Sequence, residues 1–451
     1  MKHLFVILFV ALVGLSAVAW AIQPRADRGG RTPLVWMSDD NPARREQIAL
    51  FNRANPAYAL DLDVNTAGME KMIVQSIAEV GPDLFDCYNG FQLSTYVRSG
   101  IAWDVTDELA EAGIDLRRDV WPATHPIILY EGRAYGFPTN VGANAIWFNK
   151  EIFDRLGIPY PKKGPWEWER DFVPLAQKLT VRDAAGRIVH FGYLQDSWNW
   201  QQFLIQWGGR LYTDDGTRCI VDSPEGCAAM QFMQDLIYKH HVMPSPAEEA
   251  ALATQGGWGS GSITFFGGGK GAMALGGRWW LCTLRNYKCL RLGAVESPHG
   301  PRRVFWGYGR ATLVNRNSPR RQDALAFLRY MAAKGYNDLV NHQADAIAPV
   351  IRYCQTQEYL HDPEYPEEDF NDVWRDIMAY AVPEQVSPFV NGNVATRIFT
   401  KQVDLLLAGQ KTGAEAMRAA AAAVNAEIRK EVQRDPALRQ RYERLAGGVA
   451  P

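Results

Sequence analysis

The sequence predicts an α/β protein with two lobes, each built on a mainly parallel sheet flanked by helices. Its 451 residues exceed what one ordinary hydrophobic core accommodates, and chains of this length usually divide. From Thr32 onward, short apolar runs alternate with longer amphipathic runs, which is the pattern of strand–helix–strand units with right-handed crossovers. In sheets of this kind, ligands bind at the carboxyl ends of the strands.

The first elements follow from the spacing of apolar residues and of helix breakers. A buried strand is predicted at Pro33–Met37, followed by a helix that starts at Asn41 and stops near Pro56. "YALDLDV" alternates as a second strand, "GMEKMIVQSIAEVG" is a helix ending at Gly81, and "DLFDCY" is a third strand. The residues expected at the carboxyl ends of these strands are Ser38, Asp39, Asp40, Asn65, Thr66, Tyr88, Asn89 and Gly90.

The middle and the end of the chain are richer in helix signals. "GPWEWERDFVPLAQKLT" predicts a helix entered after Pro165, and "SPEGCAAMQFMQDLIYKHH" predicts a helix capped by Ser223. Two strand-like runs, "LRLGAVES" and "FWGYGRATLVN", precede a helix that ends at Gly335. The Ala-rich tail, 412–445, is also predicted to be helical.

The N-terminus has the layout of an export signal. Lys2 precedes an apolar run, Leu4–Leu15, and small residues then lead to a predicted cleavage site after Ala21. The uncharged run continues to Pro24, which leaves an uncleaved membrane anchor as the alternative. In both cases the body of the protein is expected outside the cytoplasm, in the periplasm.

Charge and motifs exclude several classes of function. The formal net charge of −2 argues against a nucleic-acid-binding protein, because neutralising phosphates requires a basic face. The sequence has no C-x-x-C pair and no histidine spacing typical of a metal site beyond His240-His241. It contains neither the G-x-x-x-x-G-K-[ST] loop of an ATP site nor the hydrolase motifs G-x-S-x-G and H-E-x-x-H. Neither a cofactor nor a metal is expected, and binding is favoured over catalysis.

The six cysteines fit an oxidising compartment. Cys219 with Cys227 and Cys282 with Cys289 each bracket a short segment, and local disulfides are predicted within each couple. Other connectivities remain open, as does the pairing of the remaining two, Cys87 and Cys354.

The order of the segments resembles that of the bacterial extracellular solute-binding proteins of ABC importers, in particular the maltose-binding-protein-like cluster. The resemblance runs from about Val35 to about Lys430. Its pieces, in order, are "VWMSDD" with "LFNRANP", "GPDLFDCYNG", "VRSGIAWDVTDEL", "YGFPTNVGANAIWFNKEIFDRLGIPYP", "PWEWERDFVPLAQKLT", "FFGGGKGAMALGGRWW", "SPRRQDALAFLRYMA" and "GAEAMRAAAAAVNAEI".

This resemblance implies the two-lobe fold of periplasmic binding proteins, type II, in which the lobes close on a ligand held in the cleft between them. Each lobe would be assembled from two chain segments, with hinges near 137–143, 289–292 and 335–344. After the signal at 1–21, the first lobe would hold 32–138 and 290–335, and the second lobe 139–289 and 336–451. The expected ligand is a carbohydrate, an oligosaccharide in particular, and the expected partners are the inner-membrane permease subunits of an ABC transporter. A monomer is expected.

The stretch "FFGGGKGAMALGGRWW" supplies the first candidate ligand residues. Glycines let the backbone approach a ligand closely, and a tryptophan can lay its flat face on a sugar ring. The resemblance makes Trp279 the stacking residue and Trp280 a core residue, although both could be core. Arg278 is expected at the cleft because an arginine is poorly placed in a core.

The stretch "LQDSWNWQQFLIQWGG" supplies the second set. Its positions match those at which the maltose-binding proteins hold an acid for sugar hydroxyls and a stacking aromatic, which gives Asp196 and Trp198, with Trp200 nearby. A simpler interpretation is a helix N-terminus capped by Asp196 or Ser197.

The first lobe supplies a third set at its strand ends. Of Asp39 and Asp40, one is expected to cap the following helix and the other to face the cleft, together with Tyr88 and Asn89. Asn140, after the first hinge, either contacts ligand hydroxyls or is a structural amide between the lobes.

The run "FWGYGRATLV" places Trp306, Tyr308 and Arg310 two residues apart on one face of a strand, which suits a binding wall. Trp258, in a Gly/Ser loop, is a candidate lid residue, and Trp374 is either core or a third stacking residue.

Three alternatives remain open at this point. A polyol phosphate or other anion could be held by Arg278 and Arg310. A periplasmic glycosidase could place Asp39 or Asp40 opposite Asp196. An adhesion module would have no small-molecule site.

Overall fold

The computed structural model describes residues 30–64, 68–252 and 261–447, together with several positions between 9 and 18. Asn65, Thr66, Trp258 and most of the predicted signal segment therefore lie outside the described residues. Within the described part, we find no helix with the length and apolarity needed to cross a membrane.

The described chain contains strands of two to seven residues. They are β1 Thr32–Met37, β2 Tyr58–Asp63, β3 Leu84–Cys87, β4 Leu129–Tyr130, β5 Arg133–Ala134, β6 Gly136–Gly142, β7 Ala145–Asn149, β8 Val181–Arg182, β9 Ile188–Leu194, β10 Gly271–Gly276, β11 Leu292–Glu296, β12 Phe305–Trp306, β13 Tyr308–Val314 and β14 Ala381–Val382.

Helices connect and cover these strands. They are α1 Ala43–Ala54, α2 Met69–Ile77, α3 Gly90–Arg98, α4 Thr106–Glu111, α5 Leu116–Asp119, α6 His125–Ile128, α7 Lys150–Leu156, α8 Val173–Leu179, α9 Trp200–Gln206, α10 Pro224–Tyr238, α11 Pro246–Leu252, α12 Ser262–Gly267, α13 Leu281–Leu284, α14 Arg321–Ala332, α15 Lys334–Gln343, α16 Gln357–Leu360, α17 Asn371–Ile377, α18 Gly392–Leu407, α19 Gly413–Arg434 and α20 Pro436–Ala446.

The first lobe is built on a five-stranded sheet in the order β2-β1-β3-β13-β6. β13 runs antiparallel to β3 and β6, and the other strands run parallel to one another. The apolar faces of α1 and α14 cover this sheet, and the Phe327 ring contacts those of Trp36 and Phe51 in the core. The alternation in the N-terminal third of the sequence thus produces the predicted strand–helix–strand sheet.

The second lobe is built on a five-stranded sheet in the order β11-β7-β10-β9-β8. β10 and β9 are parallel, whereas β7 is antiparallel to both of its neighbours, so this sheet is mixed rather than mainly parallel. The long helices α10, α18 and α19 pack together beside it, and the Ala-rich run of α19 lets them approach closely.

The chain crosses between the sheets at points that differ partly from the predicted hinges. The first crossing, at 143–144 between β6 and β7, agrees with the prediction. The second lies at 297–307 and not at 289–292, because β11 pairs with β7 and so belongs to the second lobe. The third lies after α15, whose Tyr336 and Val340 pack in the core of the first lobe.

Some predicted helix ends are displaced. α2 ends at Ile77, and the left-handed backbone after it is at Glu79 (φ 58°) rather than at Gly81. The helix predicted after Pro165 begins with a π-helical turn at Trp168–Phe172. Gly335 does not end a helix but lies in the first turn of α15.

The predicted disulfides are not formed, because each couple's side chains point to different surroundings. All six cysteines carry free thiols. Cys219 is buried in the core of the second lobe, whereas the Cys227 thiol donates to the carbonyl of Asp222. The Cys282 thiol donates to a carbonyl of α15, whereas Cys289 is exposed.

Candidate functional site

A cleft of about 400 Å³ opens between the two lobes. On the first-lobe side, the cleft is lined by the residues that follow β3, by α6 and by the β12–β13 corner at the second crossing. On the second-lobe side, it is lined by the start of α9 and by one side of α18. The lining residues are Tyr88, Asn89, Ala123, Pro126, Ile127, Ser197, Trp198, Trp200, Gln201, Trp306, Gly307, Tyr308, Gly309, Glu384, Thr396, Thr400, Val403 and Asp404.

Three of these side chains, Trp198, Trp306 and Tyr308, form a cluster that we call the aromatic corner. Their ring centroids lie 5.6–5.7 Å apart. Trp198 is nearly perpendicular to Tyr308, at 87°, and the other two pairs meet at 64° and 53°. Edge-to-face contacts of this kind stabilise the rings against one another.

The aromatic corner is held from both lobes. The Trp306 backbone N–H donates to Gln202 Oε1 on α9 at 2.7 Å. The Tyr308 hydroxyl donates to Asn144 Oδ1, at the first crossing, at 2.7 Å and accepts from Trp279 Nε1 at 3.2 Å. The rings are therefore positioned by hydrogen bonds as well as by packing.

The glycines of "GGRWW" make room for this arrangement. Gly277 follows β10, and a Cβ there would overlap the Tyr308 hydroxyl oxygen. Trp279 then lies behind Tyr308 and supports it, so the structure corrects its predicted role as a lining residue. Trp280 is fully buried in the core, as predicted.

The cleft is also lined by two carboxyl groups, Glu384 and Asp404, and by the polar side chains of Gln201, Thr396 and Thr400. Burial raises the pKa of Glu384 to about 7, against hydrogen bonds from Gln201 and the Gly90 N–H that favour its charged form. No periodicity or motif of the sequence marks these residues. They reach the cleft only because the chain returns to it after the third crossing.

Asp196 lies next to the aromatic corner. Its Oδ2 accepts from Trp198 Nε1 and its Oδ1 accepts from the Ser262 backbone N–H, both at 3.4 Å. Burial raises the pKa of Asp196. Burial, followed by the nearby charge of Asp196, also raises the pKa of Glu249 on α11 to about 7. The predicted helix-cap role is not seen, because the Asp196 side chain accepts no capping hydrogen bond from the turn at Ser197–Asn199.

Arg310 does not face the cleft, which corrects the expectation from its strand position. It is 3% exposed and lies among Asp39, Asp86 and Asp345, with Arg44 beside them. Burial raises the pKa of Asp39, but the Arg310 and Arg44 guanidiniums outweigh it and hold that pKa well below its usual range. We call these five residues the ion cluster.

Two further first-lobe predictions are settled by the ion cluster. Asp39 accepts from the Asn41 backbone N–H at 3.1 Å and from Tyr88 at 3.3 Å, so it supports the cleft without lining it, and Asp40 is exposed and does not line the cleft. Asn140 donates to Asp345 at 3.1 Å and accepts from the Arg310 backbone N–H at 3.2 Å, which makes it a structural amide.

Arg278 is likewise a structural residue rather than a ligand contact. Its side chain is 1% exposed, and it donates to Asn371 Oδ1 and to the carbonyls of Asn341 and Ala346 at 2.8–3.0 Å. An arginine is compatible with a core when its donors are satisfied, which the sequence could not reveal. Trp374 is also buried, against Trp147 at a ring-centroid distance of 4.6 Å.

Six of the predicted ligand residues do line the cleft. They are Tyr88, Asn89, Trp198, Trp200, Trp306 and Tyr308. Asn89 also caps α3, since its side chain accepts from the Gln92 backbone N–H at 2.8 Å. A larger cavity, of about 620 Å³, lies on the first lobe between α4, α5 and the end of α14, and it does not include residues of the second sheet.

Comparison with known proteins shows that the chain is similar to solute-binding proteins. Residues 37–338 match the family described as bacterial extracellular solute-binding protein. An arabinooligosaccharide-binding protein of Halalkalibacterium halodurans is 30% identical over 112 residues. That match covers 25% of this chain and 24% of the relative, so the chain spans about a quarter of the relative's length.

Solved structures share the two-lobe fold. An ABC substrate-binding protein of Listeria monocytogenes in complex with cycloalternan has a TM-score of 0.75, with 20% identity over 89% of this chain and 99% of that one. UgpB of Mycobacterium tuberculosis in complex with glycerophosphocholine has a TM-score of 0.71, with 16% identity over 90% of this chain and 99% of that one. At these identities the likeness shows the fold alone.

Proposed function

Because this chain belongs to the bacterial extracellular solute-binding proteins, we propose that it captures an oligosaccharide in its interlobe cleft and delivers it to an ABC importer. The observation that carries the proposal is the aromatic corner, which opens onto a cleft with contributions from both lobes. The family is one of binding proteins and not of enzymes, so the carboxyl groups of the cleft are assigned to binding and the glycosidase alternative is set aside.

The chemistry of the walls suits a sugar. Indole and phenol faces pack on the C–H faces of pyranose rings and exclude water there. Gln201, Thr396, Thr400 and Asp404 line the same cleft and supply donors and acceptors for hydroxyl groups.

A polyol phosphate fits this cleft poorly. Phosphate recognition uses arginine or lysine donors. Both arginines considered for this role, Arg278 and Arg310, are committed to protein acceptors, and none of the described residues that line the cleft is basic. The glycerophosphocholine bound by the Mycobacterium tuberculosis protein is therefore a weaker guide than the sugars of the other relatives.

Binding is expected to work by closure. A ligand that contacts the aromatic corner and the α18 wall at once stabilises the state in which both are within reach. The closed, monomeric protein then docks on the permease in the inner membrane, and the ABC subunits of that importer supply the energy. The N-terminal segment is assigned to export into the periplasm.

The proposal is tested by thermal-shift measurements with malto-, arabino- and cello-oligosaccharides, followed by calorimetry. A sugar at a hundredfold its Kd is expected to stabilise the protein by about 2.7 kcal/mol, and chromatography is expected to recover it unaltered. Trp198→Ala and Trp306→Ala are each expected to weaken binding roughly tenfold or more, because each removes one wall of the aromatic corner.

Trp103→Ala is the matched control, because Trp103 is half-buried in the first lobe and lies outside the cleft. Equal losses in all three variants would contradict a ligand role for the aromatic corner, and a cleaved sugar would contradict the assignment to transport.

A further inference from the structure

Among the residues that the structure describes, the charged side chains that line the cleft are acidic. Glu384 and Asp404 line it, whereas the described lining residues include neither Lys nor Arg. Within the described residues, neither carboxyl group forms an ion pair. The two internal gaps of the described chain, 65–67 and 253–260, also contain no Lys or Arg in the sequence.

The buried carboxylates of the ion cluster, unlike Glu384, are paired with arginines. Asp86 and Asp345 are buried, and each lies within 3.6 Å of a guanidinium nitrogen of Arg310. Burying a carboxylate without such a partner is costly, which is why buried charges in proteins are normally paired. Glu384 has hydrogen-bond donors but no cationic partner among the described residues, and a bound ammonium group would supply one.

The aromatic corner supplies the second element of a cation site. Three rings, those of Trp198, Trp306 and Tyr308, pack against one another with centroids 5.6–5.7 Å apart and planes inclined at 53–87°, and all three line the cleft. The faces of aromatic rings are electron-rich and attract ammonium groups, tryptophan most strongly. A cation bound against these rings would lie in the same cavity as Glu384 and Asp404.

We propose that the cleft is specific for a saccharide that carries an ammonium group, with the aromatic corner and the carboxylates of Glu384 and Asp404 as its recognition elements. This rests on the proposed function, since it names the class of solute that the same cleft takes. Neutral sugars can form the same stacking contacts, but they leave Glu384 without a counter-charge.

The affinity for a cationic saccharide is expected to depend on pH. Since the pKa of Glu384 is raised to about 7, its carboxylate forms as the pH rises through neutrality, and affinity for a cation rises with it. A neutral sugar gains nothing from that ionisation. Asp404, Tyr88 and Tyr212 line cavities that Glu384 also lines, and burial raises the pKa of both tyrosines far above neutrality, so they keep their protons.

Cys87 is also close to Glu384, and burial raises the pKa of its thiol above the physiological range. Asp404 is exposed on α18. The step near pH 7 is therefore assigned to Glu384.

The test is calorimetry with three probes: the glucosamine disaccharide, its di-N-acetylated form and its N-trimethylated form. The two charged disaccharides are expected to bind roughly tenfold or more tightly than the acetylated one. The trimethylated probe keeps its charge at every pH, and its affinity is expected to rise from about pH 5.5 to about pH 8.

Glu384→Gln is expected to abolish both the preference for charged disaccharides and the pH effect, and Asp404→Asn to reduce the preference. Glu358→Gln, at an exposed glutamate on α16 outside the cleft, is the matched control and is expected to change neither. A variant that keeps the wild-type unfolding temperature separates loss of recognition from loss of folding.

The binding results for charged and neutral saccharides distinguish the ammonium proposal from the oligosaccharide proposal. Neutral saccharides that bind as tightly as charged ones, or an affinity for the charged probe that falls with rising pH, would overturn the ammonium proposal and leave the oligosaccharide proposal standing. Failure of all charged and neutral saccharides to bind would overturn both.

Discussion

Arg310 illustrates how a single residue can hold together parts of the chain that are far apart in sequence. Its guanidinium donates to Ser38 at 2.8 Å and lies 3.2 Å from Asp86. Through Asp345 it reaches the segment that follows α15, which is where the chain leaves the first lobe. The ion cluster therefore joins the strand ends below the cleft to the third crossing.

Replacing this arginine is expected to be costly. Arg310→Met leaves Asp86 and Asp345 without Arg310 as a counter-charge while they remain buried, and we expect a loss of roughly 3–5 kcal/mol in the free energy of unfolding. Urea unfolding measures the loss. Arg329→Met, which removes an exposed arginine of α14, is the control and should cost little. Similar losses in the two variants would show that Arg310 does not stabilise the fold through the ion cluster.

At the level of elements, the strand β10 and the turn after it position Trp279, which supports Tyr308 of the aromatic corner. β10 is fully buried and pairs with β7 and β9, and the turn Arg278–Trp280 sends Trp280 into the core and Trp279 toward Tyr308. The bare backbone at Gly277 is what allows Tyr308 to lie so close.

A methyl group at this turn is expected to displace the aromatic corner. In Gly277→Ala the new Cβ would overlap the Tyr308 hydroxyl, which must then give up its hydrogen bond to Asn144. We expect ligand affinity to fall roughly tenfold and stability by about 1–3 kcal/mol. Calorimetry and thermal unfolding measure the two effects.

Gly335→Ala is the matched control for this substitution. No atom lies within 4 Å of the position a Cβ would take, and the residue is in the first turn of a helix, so the change should leave binding intact and slightly stabilise the protein. Unchanged affinity in Gly277→Ala would contradict the coupling between the turn and the cleft.

At the scale of the whole molecule, the lobes touch at a second region besides the crossings. α3 of the first lobe packs against the start of α18, where Gly392 lies directly against the ring of Phe91. Two exposed ion pairs, Arg98–Asp435 at 3.2 Å and Arg441–Glu131 at 2.7 Å, also join the first lobe to the C-terminal helices. These contacts are made only while the lobes are together.

Charge reversal across this region is expected to shift the balance between open and closed states. Arg441→Glu puts two acids opposite each other, and we expect ligand affinity to fall roughly two- to fivefold. The double variant Glu131→Arg/Arg441→Glu restores an ion pair of reversed polarity and should recover most of that loss. Calorimetry at low salt measures both, and failure of the second change to rescue the first would argue against interlobe coupling at this pair.

Predictions from local pattern were most accurate where local pattern controls the outcome. α1 begins and ends within two residues of the predicted limits, and Ser223 caps α10 as expected through a hydrogen bond from the Gly226 N–H. Apolar periodicity and capping chemistry act over a few residues, so they are visible in the sequence. The boundary between the lobes was less accurate, because only pairing with β7 assigns β11 to the second sheet.

Aromatic residues of the cleft were found more easily than its charged residues. Trp198, Trp306 and Tyr308 lie beside strand ends and helix starts, which is where ligands meet α/β sheets. The charged residues depend on partners far away along the chain. Arg278 and Arg310 were expected at the ligand, but Asn371 and Asp86 bind them.

The sequence by itself determined the elements, the two-lobe class and the family, because these depend on apolar period, breakers and the order of short segments. Tertiary structure alone decided which charges are neutralised and which face the cleft. Arg44 meets Asp345 from the other end of the chain, whereas Glu384 returns to the cleft and meets no cation within the described residues. The reason is physical: the state of a charged group depends on its surroundings in space, and those surroundings are assembled only when the chain folds.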